Sequence, residues 1–242
     1  MEPSVERYAR ELAESIRLNL AHYAALSQSL DRTFPMRLIK ELRSDDTTDS
    51  DISIEELRLK LSELEAKRVW LRDAGLLAKE EDTQYELPEQ LESSTKKVLA
   101  VYVKDVERKL SVFDKFAERI DLMKQIINDH FLYKSMLVSK ESGFTFRTDA
   151  GKVLNSSSLS TGEQHELVLL SELLFHVEQR TLVMIDEPEI SLHVAWQEQF
   201  LRDLSTITRL TKVDILIATH SPQIIFDRWD LTEELQGPKE AK

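Results

Sequence analysis

The amino-acid sequence predicts an α/β protein in which a long helical N-terminal region precedes a parallel sheet. Glycine is scarce, with five residues in a chain of 242, so few positions interrupt the helical periodicity. Near the C-terminus, two apolar runs at residues 182–185 and 215–218 flank a helical stretch. The order strand, helix, strand is typical of a parallel sheet. An apolar content of 41% is ordinary for one or two domains with a core.

The first 134 residues are predicted to form a helical arm or bundle. Residues 4–30 place apolar side chains at steps of three, four and seven, which puts them on one face of a helix. A second helix is expected to begin with a capping box of Ser53 and Glu56 and to end at Gly75. The acidic stretch 44–51 between these helices is a predicted exposed loop. The polar stretch 79–95 after the second helix is predicted to be either a connector or a short hairpin.

A heptad repeat runs through residues 96–133. The apolar positions recur every seven residues at Leu99, Val106, Phe113, Ile120 and Ile127, with companions at Val103, Leu110 and Ala117. This spacing predicts about four heptads of a coiled-coil seam. The sequence leaves open whether the seam pairs within one chain or between chains.

The hydrophobic period changes after residue 134. Short strand-like runs on either side of Ser142-Gly143 predict a hairpin. Residues 161–178 and 193–209 are predicted helices, and the two continuous apolar runs are predicted strands buried on both faces. We therefore expect a second domain at residues 135–236, followed by a disordered tail at residues 237–242.

Composition excludes several classes of protein. The absence of cysteine rules out disulfides and thiolate metal sites and suits a reducing cytoplasm. No apolar run approaches the roughly 20 residues that span a bilayer, so we expect no membrane association. A net charge of −12 argues against a surface that binds nucleic acid all round, although a local basic strip remains compatible with it.

The first motif, at residues 159–164, reads LSTGEQ and opens a predicted helix. A hydroxyl at Ser160, the missing side chain of Gly162 and the exposed N–H groups of a helix N-terminus form an anion site that suits a γ-phosphate. Taken alone, the motif is explained equally well as a helix start in which Ser160 and Glu163 form a capping box.

The second and third motifs end the two predicted strands. Asp186 and Glu187 follow the first strand, and His220 follows the second. Ligands of open α/β sheets bind outside the carboxyl ends of the strands. Asp186 there would hold Mg²⁺ through a water, Glu187 would activate the attacking water, and His220 would bond the γ-phosphate. Each residue alone also fits a structural or surface role, and the ordered set favours the nucleotide site.

The run at residues 189–193 directly follows the carboxylates. This position suits a loop that crosses a dimer interface, with Ser191 and His193 as the contacts.

Taken together, DEPEISLH, ATHSPQII and LSTGEQ resemble the ABC ATPase superfamily, in its SMC/RecF/OLD-like branch and close to AAA_21-type ATPases. The resemblance covers residues 120–232, the C-terminal half of such a head. It implies ATP and Mg²⁺ as ligands and a homodimer of heads that encloses the nucleotide in trans. It also implies a role in DNA repair or phage defence, beside a nuclease or other effector. The implied nucleotide-contacting residues are Ser160, Thr161, Gly162, Glu163, Gln164, Ser191 and His193, with Asp186 at the metal and Glu187 and His220 at the reacting phosphate.

The sequence departs from this family in two respects. No G-x-x-x-x-G-K-[ST] phosphate loop occurs, since the only Gly-Lys pair, Gly151-Lys152, is followed by Val153. No acidic cluster for a Toprim-type nuclease follows the ATPase motifs. We therefore expect a fragment that lacks the N-terminal ATPase lobe and turns over little ATP alone. The alternative is a non-catalytic interaction or dimerisation module that works through its helical arm.

Overall fold

The computed structural model describes residues 4–43, 52–78, 88, 90–190 and 192–235. These residues form two compact units. The helical unit takes residues 7–121 and 136–145. The sheet unit takes residues 4–6, 122–135 and 146–235. The predicted connector at 44–51, most of the one at 79–95, and the predicted tail at 237–242 lie outside the described residues.

Four helices account for the N-terminal half of the chain: α1 (Ser4–Arg43), α2 (Ile54–Asp73), α3 (Ser93–Leu110) and α4 (Asp114–His130). Helix α1 continues beyond its predicted end at residue 30 and includes Pro35. Its predicted apolar face is buried at Tyr8, Leu12, Ile16 and Leu30. Helix α2 begins as predicted, because the Ser53 hydroxyl accepts a 3.0 Å hydrogen bond from the Glu56 N–H.

The heptad stripe is broken and packs within the chain. A 3₁₀ turn at Ser111–Phe113 separates α3 from α4, so the heptads predicted over residues 96–133 do not lie on one continuous helix. The Ser111 hydroxyl donates to the Arg108 carbonyl oxygen at 2.9 Å, a local bond that competes with helical continuation. The stripe is buried in the core at Val103, Val106, Leu110, Phe113, Ala117 and Ile120. These residues are the inward face of a helical bundle.

Ion pairs link the helices of this unit. The Lys60 Nζ lies 3.3 Å from Glu107 Oε1, which joins α2 to α3. Arg37 on α1 makes two hydrogen bonds to Asp105 on α3, of which Nη2 to Oδ2 measures 2.6 Å. Asp105 is only 6% exposed, so the guanidinium compensates a carboxylate that is otherwise removed from water.

The predicted hairpin is present as β1 (Lys134–Ser139) and β2 (Gly143–Thr148). Gly143 has φ +69, and an added Cβ would overlap the Ala9 carbonyl oxygen, so glycine is required there. A third strand, β3 (Val153–Leu154), was not predicted. It pairs antiparallel with β2 after a tight turn at Gly151.

The sheet unit contains the two strands that the apolar runs predicted. Strand β4 (Leu182–Asp186) pairs in parallel with β5 (Asp214–Ala218), and α6 (Val194–Thr211) connects them. Before them, α5 (Thr161–Ser171) passes into a π-helical turn at Glu172–His176, within the predicted helix 161–178. After β5, α7 (Pro222–Ile225) follows. The helices contribute the core side chains Leu167, Leu170, Phe200, Leu204 and Ile207.

The prediction that β4 and β5 are buried on both faces is wrong for the described chain. Leu182 is 58% exposed, Met184 is 76% exposed and Leu216 is 58% exposed. Met184 and Leu216 are register partners, so they share one face of the pair. Each strand carries apolar side chains on both faces, which is why the sequence shows a continuous apolar run. No element in the described part of the chain covers the face that holds Met184 and Leu216. We call Leu182, Met184 and Leu216 the open sheet face.

None of the described helices is both long enough and apolar enough to cross a membrane.

Candidate functional site

The carboxyl ends of β4 and β5 bring two of the predicted site residues together. Because the strands are parallel and in register, Glu187 and His220 follow at the same edge of the sheet. The Glu187 N–H donates to the Ala218 carbonyl oxygen at 2.8 Å, which extends the pairing by one bond. His220 Nε2 lies 3.8 Å from Glu187 Oε1. Glu187 has φ +43, a backbone conformation that is sparsely populated outside glycine and is often found at functional sites.

This edge is open to solvent. The His220 side chain is 92% exposed and the Glu187 side chain 43% exposed, and Asp186 beside them is also exposed. Within the described ranges no group of three or more acidic or histidine side chains is arranged to hold a metal ion by itself. Mg²⁺ commonly binds through one or two carboxylates together with phosphate oxygens and water. The exposed carboxylate of Asp186 fits that mode.

Glu189 connects the loop after β4 to the loop after β5. Its Oε1 accepts the Thr219 hydroxyl at 2.8 Å and the His220 N–H at 2.9 Å. Burial pushes the pKa of Glu189 upward, but hydrogen bonds from its own N–H, Thr219, His220 and Ser221 outweigh burial and lower it. Glu189 is therefore an anionic acceptor at neutral pH. Sequence reasoning did not assign it a role, although it lies inside the DEPE motif.

A buried glutamine supports the same two loops. Gln197 on α6 is 6% exposed, and its Nε2 donates to the Glu189 carbonyl oxygen at 3.3 Å. Its Oε1 accepts the Ser221 hydroxyl at 3.2 Å. The loops after β4 and β5 are thus bonded to each other directly and through α6.

The LSTGEQ loop forms a complete capping box at the start of α5. The Ser160 hydroxyl accepts from the Glu163 N–H at 3.4 Å, and the Glu163 carboxylate accepts the Ser160 N–H at 2.9 Å. Lys134 Nζ lies 2.7 Å from the other oxygen of Glu163. Burial raises the pKa of Glu163, but Lys134 and Ser160 outweigh burial and lower it. The explanation of this motif as a capping box that begins a helix is therefore confirmed.

The other residues of this loop lie at the first turn of α5. Thr161 is exposed and Gly162 half-buried, at positions whose N–H groups have no intrahelical acceptor. Gln164 Nε2 donates to the Leu159 carbonyl oxygen at 2.8 Å. In the described chain, no hydrogen bond or ion pair joins these residues to Asp186, Glu187 or His220.

The predicted dimer-contact residues are only partly described. Ser191 lies outside the described residues. His193 is the N-cap of α6, where its Nδ1 accepts the Ala195 N–H at 3.3 Å. Its ring also packs against Trp196, with centroids 5.4 Å apart.

A buried ionic cluster in the same unit was missed from sequence. His130 Nδ1 contacts Glu166 Oε1, and its Nε2 lies 3.2 Å from Asp203 Oδ2. Burial lowers the pKa of the imidazole, but the carboxylates of Asp203 and Glu166 outweigh burial and raise it to about 10. His130 is therefore an imidazolium ion that joins the end of α4 to α5 and α6. No local pattern signals this cluster, because its members lie far apart in sequence.

The geometry of the two strand ends can be set beside what comparison with known proteins finds. The sequence matches the AAA_21 family, described as "AAA domain, putative AbiEii toxin, Type IV TA system", over residues 3–226. The chain therefore belongs to this ATPase family. It is also 36% identical over 67 residues to Protein ea59 of Escherichia phage lambda, across 28% of this chain and 13% of that protein. The match thus spans a small part of the curated relative.

Proposed function

We propose that this chain is an ATP-binding segment of an SMC/RecF/OLD-like ATPase head, and that it hydrolyses ATP when a phosphate-loop lobe from outside these 242 residues completes it. The observation that carries the proposal is the pairing of Glu187 with His220 at the ends of adjacent parallel strands, 3.8 Å apart and open to solvent. Membership of an ATPase family supports the choice of ligand.

The strand-end residues divide the chemistry between them. Asp186 would hold Mg²⁺, which would offset the negative charge of the phosphate groups. Glu187 would orient the attacking water and take its proton as the water oxygen bonds to the γ-phosphorus, while the bond from that phosphorus to the bridging oxygen breaks and ADP leaves. The exposed imidazole of His220 would donate a hydrogen bond to the γ-phosphate, so that its contact distinguishes ATP from ADP.

The LSTGEQ loop would act on the nucleotide of a second head. The N–H groups of Thr161 and Gly162 at the start of α5 suit a phosphate oxygen. The hydroxyl and N–H of Ser160 are already bonded to Glu163, so Ser160 would bind phosphate only after exchanging one of these bonds. In the completed ATPase, Ser160→Arg places bulk and positive charge there, and we expect it to abolish the nucleotide-dependent association of heads measured by light scattering. Unchanged association would refute the trans role.

The open sheet face supports a missing lobe. Three apolar side chains, Leu182, Met184 and Leu216, lie exposed on a parallel pair, whereas parallel sheets are ordinarily covered on both faces. The sequence also lacks a phosphate loop. A lobe that carries the phosphate loop would bury this face and complete the site at the same time.

The test uses the chain itself with ATP and ADP, each at millimolar concentration with Mg²⁺. We expect little turnover, but a shift of the His220 imidazole NMR signals that is larger with ATP than with ADP and is lost in Asp186→Asn. Equal shifts with both nucleotides, or none, would contradict the site. Vigorous Mg²⁺-dependent hydrolysis by the chain alone would contradict the need for another lobe.

The family description favours phage or plasmid defence over DNA repair as the setting, since it names a toxin of type IV toxin–antitoxin systems. In that setting the ATP cycle of a homodimer would control a nuclease or other effector, with DNA as a further ligand of the whole system. Deletion of the gene followed by phage challenge tests this setting, and unchanged phage sensitivity would count against it.

One observation favours the alternative of an interaction module. The last turns of α1 expose Met36 at 71%, Ile39 at 43% and Leu42 at 43%. These residues, at steps of three, form an apolar strip on the arm that would bind a partner whether or not nucleotide is present. This alternative would be favoured if the chain bound a protein partner without nucleotide and lost that binding in Met36→Glu. The His220 imidazole signals would then also show no response to MgATP.

A further inference from the structure

The position of His220 depends on its backbone rather than on its side chain. The imidazole is 92% exposed, so packing does little to hold it. Its location opposite Glu187 therefore follows from how residues 219–221 leave β5. A bond that fixes the peptide of His220 also restricts where its ring can lie relative to the Glu187 carboxylate, since only rotation about the side-chain bonds is then left.

Glu189 supplies that bond. One carboxylate oxygen accepts both the Thr219 hydroxyl and the His220 N–H, at 2.8 and 2.9 Å. Thr219 in turn accepts the Ser221 N–H at 3.0 Å, so a single carboxylate orders three successive residues. Because Glu189 follows Glu187 by two residues, the loop that presents the proposed base also anchors the loop that presents the proposed γ-phosphate contact.

We propose that Glu189 is the positioning residue of this site, which sets His220 against Glu187 by binding the His220 backbone. The inference rests on the proposed function, since it assigns Glu189 to the same nucleotide site. Glu189 acts through His220 and does not itself contact the nucleotide. It couples the two strand ends, so that movement of one loop on phosphate binding is transmitted to the other.

A purely structural role makes a different prediction. If Glu189 only stabilised the fold, its loss would lower the melting temperature and loosen the unit generally. A positioning role predicts a local effect at His220 instead. Gln197 gives an independent bond between the same loops, so the unit has a second connection when Glu189 is changed.

The experiment compares four forms of the full chain by NMR. Glu189→Ala removes both accepted bonds, and Glu189→Gln keeps an acceptor oxygen of the same reach. Glu198→Ala, on an exposed residue of α6, is the matched control for loss of a carboxylate. Two quantities are measured: hydrogen exchange of the His220 amide, and the shift of the His220 imidazole signal on addition of MgATP.

We expect the His220 amide of Glu189→Ala to exchange at least about tenfold faster, as loss of a bond to a charged acceptor implies. Its MgATP shift should be lost. Glu198→Ala should match the parent chain in both measurements, and Glu189→Gln, which keeps a neutral acceptor, should keep the MgATP shift and exchange more slowly than Glu189→Ala. Unaltered exchange in Glu189→Ala overturns the proposal whatever the nucleotide does.

Two further outcomes are also decisive. If exchange follows the expected pattern but MgATP moves the imidazole in no form, including the parent, then the proposed function fails and Glu189 is a structural bond only. If Glu189→Ala unfolds, Glu189→Asp replaces it, because the shorter side chain keeps the charge but withdraws the acceptor. Normal exchange and a normal MgATP shift in Glu189→Asp would then overturn the proposal.

Discussion

Replacing His130 by glutamine removes a buried positive charge from between two carboxylates. The imidazole is 4% exposed, and its pKa is raised from 6.5 to about 10 by Asp203 and Glu166 against the effect of burial. A raised folded-state pKa means that the charge stabilises the fold fully below about pH 6.5, and that this contribution is lost as pH rises through about 10. His130→Gln should therefore destabilise the fold more at neutral pH than in alkali.

The size of the effect follows from the same two pKa values. Linkage gives a contribution of about 3 kcal/mol at pH 7.5 and about 1 kcal/mol at pH 9. The first value lies at the lower end of the roughly 3–5 kcal/mol that breaking a buried ion pair costs. In the variant, Glu166 and Asp203 also face each other without a counter-charge.

Urea unfolding of the parent chain and of His130→Gln at pH 7.5 and 9.0, followed by circular dichroism, measures both costs. His165→Gln is the control, because His165 is exposed on α5 and should change the unfolding free energy by less than about 0.5 kcal/mol. A cost for His130→Gln that is below about 1 kcal/mol at pH 7.5, or equal at the two pH values, would refute the buried imidazolium.

Three further predictions concern other parts of the chain. Gly143→Ala should cost more than about 3 kcal/mol in urea unfolding, because its Cβ meets backbone, whereas Gly151→Ala, with φ +81 but open space, should cost about 1–2 kcal/mol. Arg37→Met leaves the buried carboxylate of Asp105 on α3 without its ion-pair partner and should lower the free energy of unfolding by about 3 kcal/mol. Arg32→Met, at an exposed residue, should lower it by less than about 0.5 kcal/mol. Glu187→Gln in the completed ATPase should slow turnover about 100-fold or more and prolong the nucleotide-bound dimer in gel filtration, and turnover at the parental rate would remove Glu187 as the base.

The elements that could be predicted from sequence are those with a local signal. The helix periodicity of α1 and α2, the turn at Gly143 and the apolar runs of β4 and β5 each depend on residues close in the chain. The parallel pairing of β4 and β5 followed from the helix between them, as expected for a strand–helix–strand order. The three short motifs likewise indicated the AAA_21 family.

The features that sequence reasoning missed depend on tertiary contacts. The break at Ser111 interrupts a heptad pattern that continues on both sides of it. An apolar run cannot reveal that one face of a strand is left open, as at Met184. The His130 cluster joins residues from three helices. Glu189 lies within a motif that was recognised, but its bond to His220 spans 31 positions and has no periodic signal.

The proposed function requires a metal–triphosphate to bind at the shared edge of β4 and β5. Its position can be measured by adding Mn²⁺ with ATP to the chain and recording the paramagnetic broadening of assigned amide signals. We expect the signals of Asp186, Glu187 and His220 to broaden first, free Mn²⁺ without ATP to have less effect, and Asp186→Asn to abolish the broadening. Broadening centred elsewhere on the chain, or undiminished in Asp186→Asn, would rule out a nucleotide at this edge.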